Sequence, residues 1–162
     1  MPRAPSVPPT PAAAGVRRVA LDHFELLPGD GVLQAVIDGS MVVCLYDAVE
    51  EAGAMVHLRI IPLGRPGDEA SDETIATDLL LFDRCLEQLK RIAPNARHWQ
   101  GRVVAHFGVD GMLKPVGTGV RDSVCHACKD SGVAIVQSDT DFGRPVTVSF
   151  RPAMGQLRKA ES

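Results

Sequence analysis

Between residues 32 and 61 three apolar runs follow one another almost without pause, and no other stretch restricts the fold as strongly. Val32-Leu33-Gln34-Ala35-Val36-Ile37 halts at Asp38-Gly39-Ser40, and Met41-Val42-Val43-Cys44-Leu45-Tyr46 resumes at once. After the acidic stretch through Glu50-Glu51 and Gly53, a third run spans 54–61 and stops at Pro62. Runs this short, rich in valine and isoleucine and bounded by turn residues, read as strands joined by tight turns. A helix follows from Asp72 or Glu73, because Ile75, Leu79, Phe82, Leu86 and Leu89 recur at spacings of four and three until Pro94 and Asn95 end it.

Beyond the helix the pattern reads strand (102–107), glycine-rich loop (Gly108, Gly111, Gly117, Gly119), a second helix (121–130), and two last strands (133–137 and 146–150). Val19-Ala20-Leu21, Phe24 and Leu26-Leu27 form a strand or irregular segment closed by Pro28-Gly29-Asp30-Gly31. Strands in series before a helix, without strict strand–helix alternation, predict an α+β or layered α/β sandwich: a mixed sheet covered by two main helices. Residues 1–16 carry five prolines and almost no bulky apolar group, so a flexible tail is expected there, a single domain over 17–158, and a short tail over 159–162.

Charge narrows the function classes. A net charge of −3 gives no electrostatic reason for a nucleic-acid or lipid-headgroup partner. No apolar run approaches the roughly 20 residues that span a bilayer, and the N-terminus has no apolar signal region, so no membrane insertion and a cytoplasmic location are expected. Cys44, Cys85, Cys125 and Cys128 are too few and scattered for a disulfide framework.

Gly39-Ser40-Met41-Val42-Val43-Cys44-Leu45-Tyr46-Asp47 resembles the nucleophile segment of the CheD family, the chemoreceptor glutamine deamidases of bacterial chemotaxis. That segment usually reads Gly-Ser-Cys, small apolar residues, often a second cysteine, and Tyr-Asp. Gly53-Ala54-Met55-Val56-His57 resembles the family's Gly-Gly-Met-Ala-His, 116–120 its Ile-Gly-Glu-Arg-Asn loop, and Asp139-Thr140 with Gly143-Arg144-Pro145-Val146 its Asp-x-Gly-Gly-x-x-Gly-Arg region. Four motifs in order, covering the chain from about Val19 to Leu157, carry the resemblance.

The resemblance implies the layered sandwich also found in bacterial toxins that deamidate host glutamines. It implies a cysteine nucleophile, a histidine base and a supporting threonine acting on receptor glutamines, with no cofactor and no metal. Read onto this chain, Met41 falls at the cysteine, His57 at the histidine and Ala35 at the threonine, six residues before Met41. A thioether has no proton to lose and forms no thiolate. The expectation is therefore a catalytically impaired member, a pseudoenzyme that binds methyl-accepting chemoreceptors or a CheC-type phosphatase. The alternative is an active deamidase working through Ser40 or Cys44. Each residue also has a plainer reading: Ser40 as a turn residue bonding its own backbone, Cys44 as a buried small hydrophobe, His57 as a hydrogen-bonded core histidine.

Cys125-His126-Ala127-Cys128 has redox or metal spacing, yet it lies inside a predicted helix, where one core-facing stripe explains it. A zinc site would need two more ligands, for which Cys85 and His106 are the distant options.

Overall fold

A computed structural model describes residues 15–60 and 68–161, with side chains of the first helix described from residue 72. The expected tail over 1–16 thus lies almost wholly outside the described residues, but Val16 belongs to a strand. The strands are β1 (Val16–Arg18), β2 (His23–Leu27), β3 (Val32–Ile37), β4 (Ser40–Asp47), β5 (Ala52–Arg59), β6 (Gln100–His106), β7 (Ala134–Asp141), β8 (Val146–Arg151) and β9 (Gln156–Glu161). Helices α1 (Asp68–Ile92) and α2 (Lys114–Asp130) and a short 3-10 turn, Pro152–Met154, complete the chain.

The architecture is α+β and layered, with two mixed sheets. One has strand order β2-β5-β4-β6-β7, with β6 and β7 parallel; the other runs β1-β3-β8-β9, with β1 and β3 parallel. Helices cover one face of the five-stranded sheet: Phe82, Cys85, Leu89, Val120, Val124 and Cys128 pack with Met41, Val43, Val56, Leu58, Val103 and Ala105. The four-stranded sheet covers the other face, where Leu33, Ala35, Ile37, Val148 and Phe150 meet Val42, Cys44, Tyr46, Met55 and Val104. Every residue of β4 is buried because both of its faces are covered. This explains why β4 reads as a continuous apolar run with no polar alternation.

Boundaries differ from the sequence reading at four elements, and at one of them, β7, the strand runs on to Asp141, four residues past the expected end at 137. Helix α2 begins seven residues earlier than 121, so 116–120 is helical and not a loop. Pro115 in the first turn is the missed start signal. Gly117 allows the helix to close on the sheet, since a Cβ there would lie 2.6 Å from the Phe107 ring. Helix α1 likewise starts at Asp68, within the expected loop. The expected tail over 159–162 is β9 as far as Glu161: a polar edge strand, formed by its ladder to β8 from Arg151↔Gln156 to Val146↔Glu161 and invisible to hydrophobic periodicity. Among the described residues, no helix is long and apolar enough to cross a membrane.

Candidate active site

The turn between β3 and β4 carries Asp38, Gly39 and Ser40. Gly39 sits at φ +67, a left-handed conformation that glycine adopts without penalty, and the turn delivers Ser40 as the first residue of β4. Strand β5 lies antiparallel beside β4 with Ser40 opposite Arg59 and Val42 opposite His57. Because side chains alternate along a strand, Ser40 and His57 rise from the same face. The Ser40 hydroxyl oxygen is 2.7 Å from His57 Nε2, and both residues are buried.

The other ring nitrogen fixes the direction of this bond. His57 Nδ1 lies 3.1 Å from the Val19 carbonyl oxygen, which can only accept, so Nδ1 carries the proton. Nε2 is then bare, and the Ser40 hydroxyl donates to it. This is the arrangement of a serine with its general base, the base oriented by a third group, here a backbone carbonyl. Val19 is itself anchored, its N–H donating to the Gln34 carbonyl at 2.8 Å where the chain crosses between sheets. Burial holds the His57 pKa below the ordinary 6.5, against the opposing pull of the Val19 hydrogen bond and the Asp22 charge. The ring is neutral at pH 7, as a proton acceptor must be.

Charges gather at the end of β5. Arg59 donates its Nε to Asp22 at 2.8 Å, and Asp22 holds a positive φ of 66. Behind them Asp78, on α1, accepts the Arg59 backbone N–H at 3.1 Å through one oxygen, while its other oxygen is buried without a partner among the described residues. Burial pushes the Asp78 carboxyl up to about 7. A cavity of about 200 Å³ lined by Leu21, Val36, Asp38, Gly39, Ser40, His57 and Arg59 opens onto the serine, with Arg59 its one cation among the described residues. A second cavity of about 380 Å³ shares Leu21, Val36 and His57 with it and includes Gln34 and Ala35. A larger recess, about 450 Å³, lies elsewhere, among Arg151, Arg158 and their β8 and β9 neighbours, and touches neither Ser40 nor His57.

Of the residues singled out by sequence, Ser40 and His57 meet and Met41 does not join them. Met41 faces the helix layer, opposite Leu58 and Ala105, wholly buried on the far side of the sheet from His57. The correction is a one-residue slip. Since the side-chain period is two, moving the nucleophile position by one residue exchanges the faces, so the residue against the histidine is Ser40. Ala35, on β3 opposite Val148, lines the second cavity and offers only a methyl group. Cys44 shares Ser40's face but lies four residues along β4, about 13 Å away, and complete burial drives its thiol pKa up.

Sequence reading also undervalued His106, wholly buried at the end of β6 and bonded to the turn that carries Ser40. A histidine closing an otherwise apolar strand is the signal it left. Cys125 and Cys128 stand on α2, the second buried in the helix-facing core and both thiols raised by burial. Among the described residues, no three His, Cys, Asp or Glu side chains are grouped to hold a metal ion. No family model matches the chain, and no curated protein matches it in sequence.

Proposed function

We propose that this chain is a carboxamide hydrolase of the CheD type in which Ser40 takes the nucleophile's role, acting on glutamine side chains of methyl-accepting chemoreceptors in the cytoplasm. One observation carries the reading: the 2.7 Å contact from Ser40 to His57 Nε2, with Nδ1 committed to the Val19 carbonyl. The motifs around Gly39-Ser40 and His57 supply the receptor-glutamine assignment by resemblance.

The chemistry runs as acyl transfer. Ser40 Oγ attacks the amide carbon while His57 Nε2 takes the hydroxyl proton; the same nitrogen then returns it to departing ammonia, leaving a serine ester. Water, deprotonated by His57, hydrolyses the ester to glutamate and restores the serine. Arg59, directly across the ladder from Ser40 and lining its cavity, supplies positive potential for the developing oxyanion. A methyl ester would follow the same path with methanol leaving.

Ammonia release from receptor fragments tests the reading. Turnover that falls by about 10³-fold or more in Ser40→Ala, and survives in Ser40→Cys, is the expected result. The second reading, a catalytically silent binder of receptors or of a CheC-type phosphatase, is favoured by the deep burial of both residues, Ser40 at 4% and His57 at 5% exposure. Absence of ammonia and methanol release with measurable binding of either partner would replace the first reading by the second.

A further inference from the structure

From its hydrogen bonds we infer that His106 is a positioning residue for the Ser40 nucleophile, acting through the backbone of the turn and never touching substrate. The inference deepens the hydrolase reading and rests on it. His106 Nε2 lies 3.0 Å from the Arg144 carbonyl oxygen, so Nε2 carries the proton and Nδ1 is a bare acceptor. Nδ1 receives two backbone N–H groups, from Gly39 at 3.0 Å and from Gly108 at 3.2 Å.

The first of these bonds seizes the residue immediately before Ser40. Gly39 has no side chain to brace it and sits at positive φ, and the β4–β5 ladder begins only at the next residue, Ser40↔Arg59. The second ties the same ring to the loop after β6. His106 belongs to β6, which is paired with β4 along Met41↔Ala105 and Val42↔Val104, so the ring reaches past the end of the ladder to hold the turn where pairing stops. The Asp38 carboxylate stands 3.9 Å from Nδ1, beyond hydrogen-bond reach, and is largely exposed. The ring's work is therefore done on backbone amides. Displacing a nucleophile by about 1 Å costs on the order of 10²-fold in rate, which sets the scale of what such a bond secures.

The test is the rate at which a fluorophosphonate phosphonylates Ser40 Oγ, with fluoride leaving, in the full chain, the site located by mass spectrometry. His106→Asn keeps an acceptor near the place of Nδ1 but loses reach to Arg144; His106→Gln reaches the place of Nε2 but does not supply the near acceptor. The inference expects Asn to retain a labelling rate within about threefold of wild type and Gln and His106→Ala to lose about 10- to 100-fold. The half-saturating probe concentration and the acid limb of the pH profile should stay unchanged, because His57 is intact. Equal rates for Asn and Gln, or a wild-type rate in Ala, would overturn the positioning role while leaving the hydrolase reading standing. If Ala fails to fold, the Asn–Gln pair decides alone. No labelling of Ser40 in the wild-type chain would overturn both.

Discussion

Two buried histidines flank one turn, and they are wired in opposite senses. His57 gives its Nδ1 proton to the Val19 carbonyl and turns a bare Nε2 toward a side-chain hydroxyl. His106 gives its Nε2 proton to the Arg144 carbonyl and turns a bare Nδ1 toward backbone amides. The carbonyl on one nitrogen decides what the other nitrogen is free to do: on the β5 side it can accept a reacting proton, on the β6 side it can only hold the chain still. Their surroundings differ as well. Around His57 lie Asp22, Arg59 and, behind the strand, Asp78, whereas His106 faces backbone groups and the distant Asp38 carboxylate.

The largest expected effect breaks the comparison on the chemical side. His57→Ala should lower kcat/KM for ammonia release by about 10³-fold or more, because the serine then has no base, and circular dichroism should report a folded chain. Retained turnover would place the chemistry elsewhere.

Next comes Asp78, whose charge belongs to the His57 side alone. Its folded pKa of about 7 lies above the ordinary 3.8, so the folded state holds a proton the unfolded chain has released. Stability contributed by that proton is present below pH 4 and is lost as pH rises toward 7. Asp78→Asn keeps the acceptor for the Arg59 N–H and removes the charge. Its unfolding free energy from denaturant titration should exceed wild type by up to about 4 kcal/mol above pH 7, and the gain should vanish near pH 4. A gain independent of pH would mean the carboxyl is not the cause.

Met41→Cys sharpens the contrast between neighbouring residues. The new thiol points into the helix-facing core, so ammonia release should be unchanged and stability should drop by about 1–3 kcal/mol from the lost buried volume. Ser40→Cys, by contrast, should react with iodoacetamide. Faster alkylation of Met41→Cys than of Ser40→Cys would reverse the assignment of faces.

The smallest effect concerns pH and activity. Burial lowers the His57 pKa, so the rate should be level at pH 7 and fall only as pH drops below 6.5. The Asp22 charge opposes that depression, so Asp22→Asn should move the acid limb further down. Movement upward would contradict the sign of that interaction.

Much of this was legible in the sequence. The runs at 32–37, 41–46 and 54–61 became β3, β4 and β5, and the stripe from Ile75 to Leu89 became the buried side of α1, because period and punctuation are properties of the chain itself. The existence of a second sheet was not, since β1 and β9 are short or polar and exist through hydrogen bonds to partners far away in sequence. Ser40 and His57 were both marked as site residues; their relation escaped, and so did Arg59, Asp22 and Asp78 around them and the part played by His106.

What the sequence determined by itself is therefore the central elements, β3, β4, β5 and α1, and the short segment, 39–41, that carries Ser40. Tertiary structure decided which member of that segment faces His57, because a strand shows its neighbours to opposite sides and only the pairing with β5 says which side the histidine occupies. It also decided the protonated nitrogen of each histidine, a choice made by carbonyls at Val19 and Arg144, each 38 residues away along the chain.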